Sequence, residues 1–343
     1  MVAKDYSDFF LIKESSWRPK YIQLSEAIVT AVEKGRLKRG VTLPSINELS
    51  AKLEVSRDTA EKSYKHLKDI GFIESVPGKG YYVKDRGYVR KLSVLLLLNK
   101  LSAHKKTVYD EFVSVLGNDI PIDLFIYSND ILLFERFLSN AHSDYSHYVI
   151  APHFEAGEER AAAMINDLPS DKLILMDRQM KGIRGNVSMV RQDFENNIYE
   201  ALKEALPDLR KYQMLKIITP DGRYFPKEIL AGFRRFCQYH QYPNMEVQDI
   251  QTAQINPGDV FIDLVEEDLV TLLGRVIEHG YQIGKDVGVI SYNETALKRV
   301  TLGGISTIST DFVFMGRVAA EMVINRASGH VEIPFVYTKR ASL

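Results

Sequence analysis

Two serines and a run of cations give the first chemical reading of this 343-residue chain. Ser45 stands three residues before Glu48, the spacing of a reciprocal capping box, and Leu49 and Leu53 fall on the buried side of the helix it would start. Ser56 can cap a second helix almost at once. That helix keeps Ala60, Tyr64, Leu67 and Ile70 on one face at three- and four-residue spacing, and leaves Arg57, Thr59, Lys62, Lys65 and Lys68 off the stripe. Past its end, Pro77-Gly78-Lys79 makes a basic, glycine-rich tip between two β-prone runs, Phe72 to Val76 and Gly80 to Val83. Two close-set helices, the second with a basic outer face, followed by a basic hairpin, suit one helix in a major groove and a wing on the phosphate backbone.

The elements that must hold these groups can be read on either side. Leu43-Pro44-Ser45 closes the turn before the first cap, and Gly71 ends the second helix as a C′ glycine. Upstream, Trp17 to Lys34 predicts a further helix with Pro19 at N1 and a stripe of Ile22, Ala27, Ile28, Ala31 and Val32. Trp17, the only tryptophan, stacks on a base or staples the module's own core; its place ahead of the helix favours the staple.

The stretch Gly35-Arg36-Leu37, Gly40, Leu43-Pro44-Ser45, Glu48-Leu49, Val55-Ser56-Arg57, Thr59-Ala60, Leu67, Gly71-Phe72-Ile73 and Gly78-Lys79-Gly80 closely resembles the GntR family of bacterial transcription regulators. The resemblance implies that Arg57 and Thr59 touch DNA at the start of the recognition helix and that Gly78 approaches the minor groove. Ser45, Asn47, Ser56, Arg57, Thr59, Lys62, Gly78 and Lys79 are therefore the candidate DNA contacts. Members of the family often carry arginine where Asn47 stands and histidine where Pro77 stands, so their base preferences are not carried over.

Charge supports that division of labour. From Trp17 to Lys91 there are 16 Lys and Arg against 9 Asp and Glu, a net of +7, while the remainder from Leu92 carries a net of −7. Met1 to Ser16 reads as a short extension with Phe9, Phe10, Leu11 and Ile12, able to pack on the module or on a partner subunit. Lys84 to Lys91, charged and without a period, reads as connecting chain, so the expected division is 1–16, 17–84, 85–91 and 92–343. No run reaches the roughly 18 apolar residues of a membrane span, and the N-terminus lacks a signal-peptide core, which predicts a cytoplasmic protein. Cys237 is the single cysteine, beside Phe233 and Phe236, and reads as a small core residue.

From Ser93 onward short apolar runs alternate with helical patterns. Strands are expected at Ser93 to Leu98, Tyr148 to Ala151, Leu173 to Met176, Leu215 to Thr219, Val260 to Leu264 and Val287 to Ser291. Helices are expected near 105–116, 130–141, 155–167, 194–206, 227–240, 267–279 and 312–327. Continuous apolar strands separated by helices predict parallel sheets covered on both faces, and this length favours two of them.

This region is similar to the sugar-binding effector domain of the LacI family, itself similar to periplasmic sugar-binding proteins. The resemblance rests on Leu173 to Arg178, Val187 to Asp193, Ile229 to Phe233, Gly280-Tyr281 with Gly284 to Asn293, Ile305 to Ile308, Met315-Gly316, Ala319-Ala320 and a closing strand at Lys339 to Ser342. It implies a multi-domain chain, an N-terminal winged helix-turn-helix (α+β) followed by a two-lobed α/β body with parallel sheets, dimeric, binding a small effector between its lobes. By that resemblance Asp177, Arg178, Asp193 and Asn293 point at the cleft. Asn293 replaces the usual aspartate, and Ile229 stands where many members have arginine, for which Lys227 could compensate. Asn99, with Lys100, and His153 are candidates by strand-end position alone. Each also has an ordinary reading as a loop or cap residue, Asp193 above all. Tyr224 and Phe225 either supply a stacking face or pack their loop.

No phosphate-gripping glycine loop, nucleophile elbow, HExxH or clustered metal ligands occurs, and His142, His147 and His153 share no helical face, so neither an enzyme nor a cofactor or metal is expected. The expectation is a dimeric repressor on a palindromic double-stranded operator, answering to a monosaccharide, a pentose or deoxyhexose. A purine or other metabolite as effector, or a ligand-independent DNA-binding dimer, is the alternative.

Overall fold

The structure, a computed structural model, describes residues 10, 12–14, 16–84, 92–141, 145–219, 222 and 224–343. The expected connecting chain at 85–91, most of the N-terminal extension, and His142 therefore lie outside the described residues. Of the extension, Phe10 is buried and Ile12 partly so, both in the core of the first module.

That module runs α1 (Lys20–Glu33), β1 (Thr42–Leu43), α2 (Ile46–Lys52), α3 (Arg57–Asp69), β2 (Ile73–Val76) and β3 (Gly80–Val83). Its strands order β1-β3-β2, all antiparallel. Leu24, Ile28, Leu49, Ala60, Tyr64 and Leu67 meet in its core, and the Tyr64 hydroxyl donates to the Pro44 carbonyl at 2.7 Å. Two details differ from the sequence reading. Pro19 is the N-cap of α1 rather than its first residue, its fixed φ leaving it extended at ψ 133°. Trp17 does not staple this core: its ring packs against the apolar cluster of the next lobe, and Nε1 donates to the Met164 carbonyl at 3.1 Å.

The body opens with β4 (Val94–Leu98), α4 (Ala103–Leu116), β5 (Ile122–Ile126), α5 (Ile131–Ser139), β6 (His147–Ile150), α6 (Glu158–Ile165), β7 (Leu173–Asp177) and β8 (Ser188–Arg191). It continues with α7 (Phe194–Leu209), β9 (Met214–Ile218), α8 (Lys227–Tyr239), β10 (Asn244–Val247), β11 (Asp259–Asp263), α9 (Glu266–Glu278), β12 (Gly288–Tyr292), β13 (Ser306–Thr310), α10 (Phe312–Asn325), β14 (His330–Glu332) and β15 (Phe335–Thr338). Two six-stranded sheets result, β14-β8-β7-β6-β4-β5 and β10-β9-β11-β12-β13-β15, parallel except for the antiparallel edge β15. Runs such as Val94 to Leu98 are buried at every position, as strands covered on both faces must be.

The chain crosses between the two lobes three times, after β8, after β13 and after β14. α10 thereby returns to the first lobe and packs on α4. A Cβ on Gly316 would lie 2.4 Å from the Val108 carbonyl oxygen, so glycine is what allows the two helices to approach. The closing strand falls at β15, ahead of Lys339 to Ser342; those residues instead turn back so that the Ser306 amide donates to the Ser342 hydroxyl at 2.7 Å. Cys237 is buried with Phe233 and Phe236 in the second lobe, where burial pushes its thiol up to about 12. No helix among the described residues is long and apolar enough to cross a membrane.

Candidate functional site

The basic face of the first module is built by local capping. The Glu48 amide donates to the Ser45 hydroxyl at 3.3 Å and the Ser45 amide to the Glu48 carboxylate at 2.8 Å, fixing where α2 starts. The Thr59 amide donates to the Ser56 hydroxyl at 3.1 Å and starts α3. Ser45, Asn47, Ser56, Arg57 and Lys62 are exposed, Thr59 is partly so, and Lys62 pairs with Asp58 one turn earlier at 2.8 Å. Gly78, at φ +75°, lets the wing turn at the tip and leaves Lys79 exposed. All eight candidate DNA contacts thus belong to the second helix pair and the wing.

The second site lies between the lobes, at the carboxyl ends of the strands, where open α/β sheets place their crevices. A cavity of about 110 Å³ is lined by Asn99, His104, Lys105, His153, Asp177, Gln192, Tyr224, Tyr292 and Asn293, with Phe194, Phe225 and Phe312 among its apolar walls. Asp177 is its anchor. The carboxylate accepts from the Lys105 ammonium, from His153 Nε2 at 2.8 Å and from Gln192 Nε2. Gln192 Oε1 in turn accepts from the Thr310 hydroxyl at the second crossing.

Burial alone would raise the Asp177 carboxyl, but Lys105 and His153 outweigh it and hold it well below the ordinary carboxylate range. His153 goes the other way: burial lowers it more than Asp177 raises it, so its ring is neutral. Asp177 only accepts, so Nε2 carries the proton and Nδ1 accepts from the Tyr224 hydroxyl at 3.2 Å. Arg178 NH1 donates to the same hydroxyl at 3.1 Å, completing a directed chain from Arg178 through Tyr224 and His153 to Asp177. Tyr224 belongs to the second lobe and the other three to the first, so the chain bridges the mouth of the cleft.

Asp177 holds φ at +84° and Asn293 at +64°. For aspartate at a strand end this is a strained backbone, costing of order 1–3 kcal/mol, which the three hydrogen bonds on its carboxylate over-determine. Among the described residues, Asn99 Oδ1, Tyr292 OH and Asn293 Oδ1 are buried without a hydrogen-bond partner. His104 stacks on Phe312 at 4.8 Å between ring centres, and burial, with Lys105 and Lys100 adding, pushes it down to about 3.

The structure therefore brings Asp177, Asn293, Asn99 and His153 together in one cavity. It places three other candidates elsewhere. Arg178 is partly buried at the mouth, 3.2 Å from Glu158 and 3.7 Å from Glu228, outside the cavity lining. Lys227, the first residue of α8, is exposed and outside the cavity lining, beside Arg178 and Tyr224 in a neighbouring pocket between the lobes, while Ile229, whose missing charge it was to offset, lines the wall. Asp193 caps α7 by accepting from the Asn196 amide at 3.1 Å. Lys105, Gln192 and Tyr292 were not anticipated. The only local signal for Lys105 was a cap, Ser102, just beyond a strand end, which puts the first turn of α4 at the crevice.

Fold and site together define a two-part molecule, a winged helix-turn-helix module joined to a two-lobed α/β body with a polar cleft. Residues 20–83 match the family described as bacterial regulatory proteins, gntR family, and residues 210–338 match the periplasmic binding protein-like domain. The chain thus joins a GntR-family module to a body of the periplasmic-binding type. YydK of Bacillus subtilis, an uncharacterized HTH-type transcriptional regulator, is 39% identical over 77 residues, 22% of this chain and 33% of that protein. The chain spans about a third of the length of the first such relatives. In structure it is similar to a LacI family transcriptional regulator from Lactobacillus casei with bound glucose, at 16% identity over 73% of this chain and 99% of that one, TM-score 0.59. A LacI family regulator from Enterococcus faecium with bound ribose is similar to the same extent, at 16% identity over 73% and 98%, TM-score 0.56. At such identity the likeness speaks for the fold.

Proposed function

We propose that this protein is a sequence-specific DNA-binding transcriptional regulator, a repressor of sugar-utilisation genes, whose DNA affinity is set by a monosaccharide held between the lobes. The observation that carries the reading is the cavity itself. A buried, fully engaged carboxylate fixes one wall, and three buried polar atoms on Asn99, Tyr292 and Asn293 await partners. An unmet buried polar group costs roughly 1–3 kcal/mol, so a ligand rich in hydroxyls recovers what an apolar one would not. Phe194, Phe225 and Phe312 offer apolar faces for the C–H side of a ring, and the cavity's small size supports one ring, a pentose or deoxyhexose, rather than a chain of them.

The basic module supports DNA as the macromolecular partner, and a homodimer would set two modules on a palindromic operator. Ligand releases DNA only to the extent that it binds the released state better. The test is fluorescence anisotropy of the purified protein on DNA from upstream of its own gene, titrated at fixed salt with monosaccharides and with purine bases. Release by one sugar is the expected outcome. Release by a purine alone would replace the sugar, and tight DNA binding that nothing shifts would remove the sensor function from the cleft.

A further inference from the structure

The winged module does more than hang from the body: α1 and the residues before it lie on the first lobe, and three charged side chains are buried where they meet. Arg18, Glu26 and Lys172 are each at least nine-tenths buried. Arg18 NH2 donates to Glu26 Oε2 at 2.5 Å within the module, and Lys172, from the lobe, donates to the other carboxylate oxygen. Around them Trp17 Nε1 donates to the Met164 carbonyl at 3.1 Å, and Lys13 Nζ reaches the Asn166 carbonyl at 3.2 Å and Asp167 at 3.6 Å. A buried ion pair contributes little net stability; its best-attested use is to fix register, since another alignment strands a charge.

We propose that this contact is a keyed dock that holds the DNA-reading module in one orientation on the first lobe and couples it to the cleft. Lys172 immediately precedes β7, and Asp177 is the last residue of that strand, so dock and cleft anchor stand about 16 Å apart on one extended segment. β7 is hydrogen-bonded on both sides, to β6 and to β8, and moves as part of the sheet. Docking leaves Ser56, Arg57, Lys62 and Lys79 exposed, so it is compatible with bound DNA. What the dock supplies is a fixed relation between reader and lobe. Without it, rearrangement of the lobes has no grip on where the module points. The coupling half of the proposal rests on the function proposed above; the dock itself does not.

Trp17 is the only tryptophan and sits in the dock, so its emission reads docking directly. Lys172→Met removes the lobe's member and leaves Glu26 with Arg18, so the module keeps its internal pair; Lys172→Arg retains the charge. In the full chain, Lys172→Met is expected to shift Trp17 emission to the red and raise its quenching by acrylamide, with far-UV circular dichroism unchanged, and Lys172→Arg to resemble the parent. Identical emission and quenching in parent and Lys172→Met overturns the dock. For coupling, DNA anisotropy is titrated with D-glucose, D-ribose and L-arabinose. A sugar effect of the usual 5- to 150-fold in the parent should fall to near onefold in Lys172→Met while sugar affinity holds; an undiminished effect overturns the coupling. If none of the three sugars moves the parent, the proposed function fails for them and the emission comparison still decides the dock.

Discussion

Removing either member of the Lys105–Asp177 pair should cost more than removing both. Lys105 is 2% exposed and Asp177 4% exposed, so Asp177→Asn strands an ammonium and Lys105→Met strands a carboxylate that still holds His153 and Gln192. Breaking a buried pair from one side costs about 3–5 kcal/mol. At about 2–4 °C per kcal/mol for a domain of this size, each single variant should lower the body's melting temperature by roughly 6–20 °C. In Lys105→Met/Asp177→Asn no charge is stranded, and the loss should be smaller than in either single variant, a coupling of about 3 kcal/mol or more. The folded carboxyl is held well below its unfolded value, so its contribution is complete above about pH 4 and is lost only as pH falls through the folded value. Calorimetry at pH 7 therefore reads it in full. Single losses below about 1 kcal/mol, the worth of an exposed pair, or a double variant whose loss equals the sum of the singles, would refute the reasoning.

Asp263 gives the opposite sign. Burial, against the pull of Lys298, pushes its carboxyl up to about 7, so between about pH 4 and pH 7 the folded state holds a proton that the unfolded state releases, and stability falls as pH rises through that window. Asp263→Asn should abolish that fall, stabilising the body by up to about 4 kcal/mol at pH 7.5 and by little near pH 4; an equal shift in melting temperature at both would contradict it. Arg57→Ala should weaken specific DNA binding by about 1–3 kcal/mol and leave sugar affinity unchanged, read by anisotropy and calorimetric titration. Lys79→Ala should weaken all DNA sequences alike and reduce the salt slope of binding by about 1, whereas a sequence-dependent loss would move Lys79 from backbone to base contact.

The winged module was legible because its signals are local. A cap and its partner stand three residues apart, and the glycines at Gly71 and Gly78 sit where φ is positive, at +74° and +75°. The central strands were legible for a similar reason, since burial on both faces leaves an unbroken apolar run. The edges were not. β10, Asn-Met-Glu-Val, is buried only at Val247, and β14 nowhere fully, so neither carries a run to notice. Lys105 and Trp17 show the deeper limit. A lysine in the first turn of a helix reads as solvated, and only Asp177, 72 residues away, makes it a buried cation. A tryptophan before α1 reads as that helix's own staple, and only Met164, 147 residues on, gives its indole a different partner.

The same long-range bonds constrain what an effector must do. The chain from Arg178 through Tyr224 and His153 to Asp177 already joins the lobes, so a ligand cannot act merely by closing an otherwise open cleft. It must add interactions that one lobe arrangement offers and another withholds. Turning a 1:99 population into 99:1 needs about 5.5 kcal/mol of such preference. Asn99 Oδ1, Tyr292 OH and Asn293 Oδ1 come from opposite lobes, Asn99 following β4 and the other two at the end of β12. At roughly 1–3 kcal/mol each, the three together amount to about 3–9 kcal/mol, a range that includes the required preference only where the ligand engages both lobes at once, with the Asp177 network left intact. A ligand reaching only one lobe's atoms recovers part of that sum in every arrangement and shifts nothing. On the function proposed above, the effector that fits is one molecule with hydroxyls on two opposed edges, which a sugar ring has and a flat heterocycle with a single polar edge lacks.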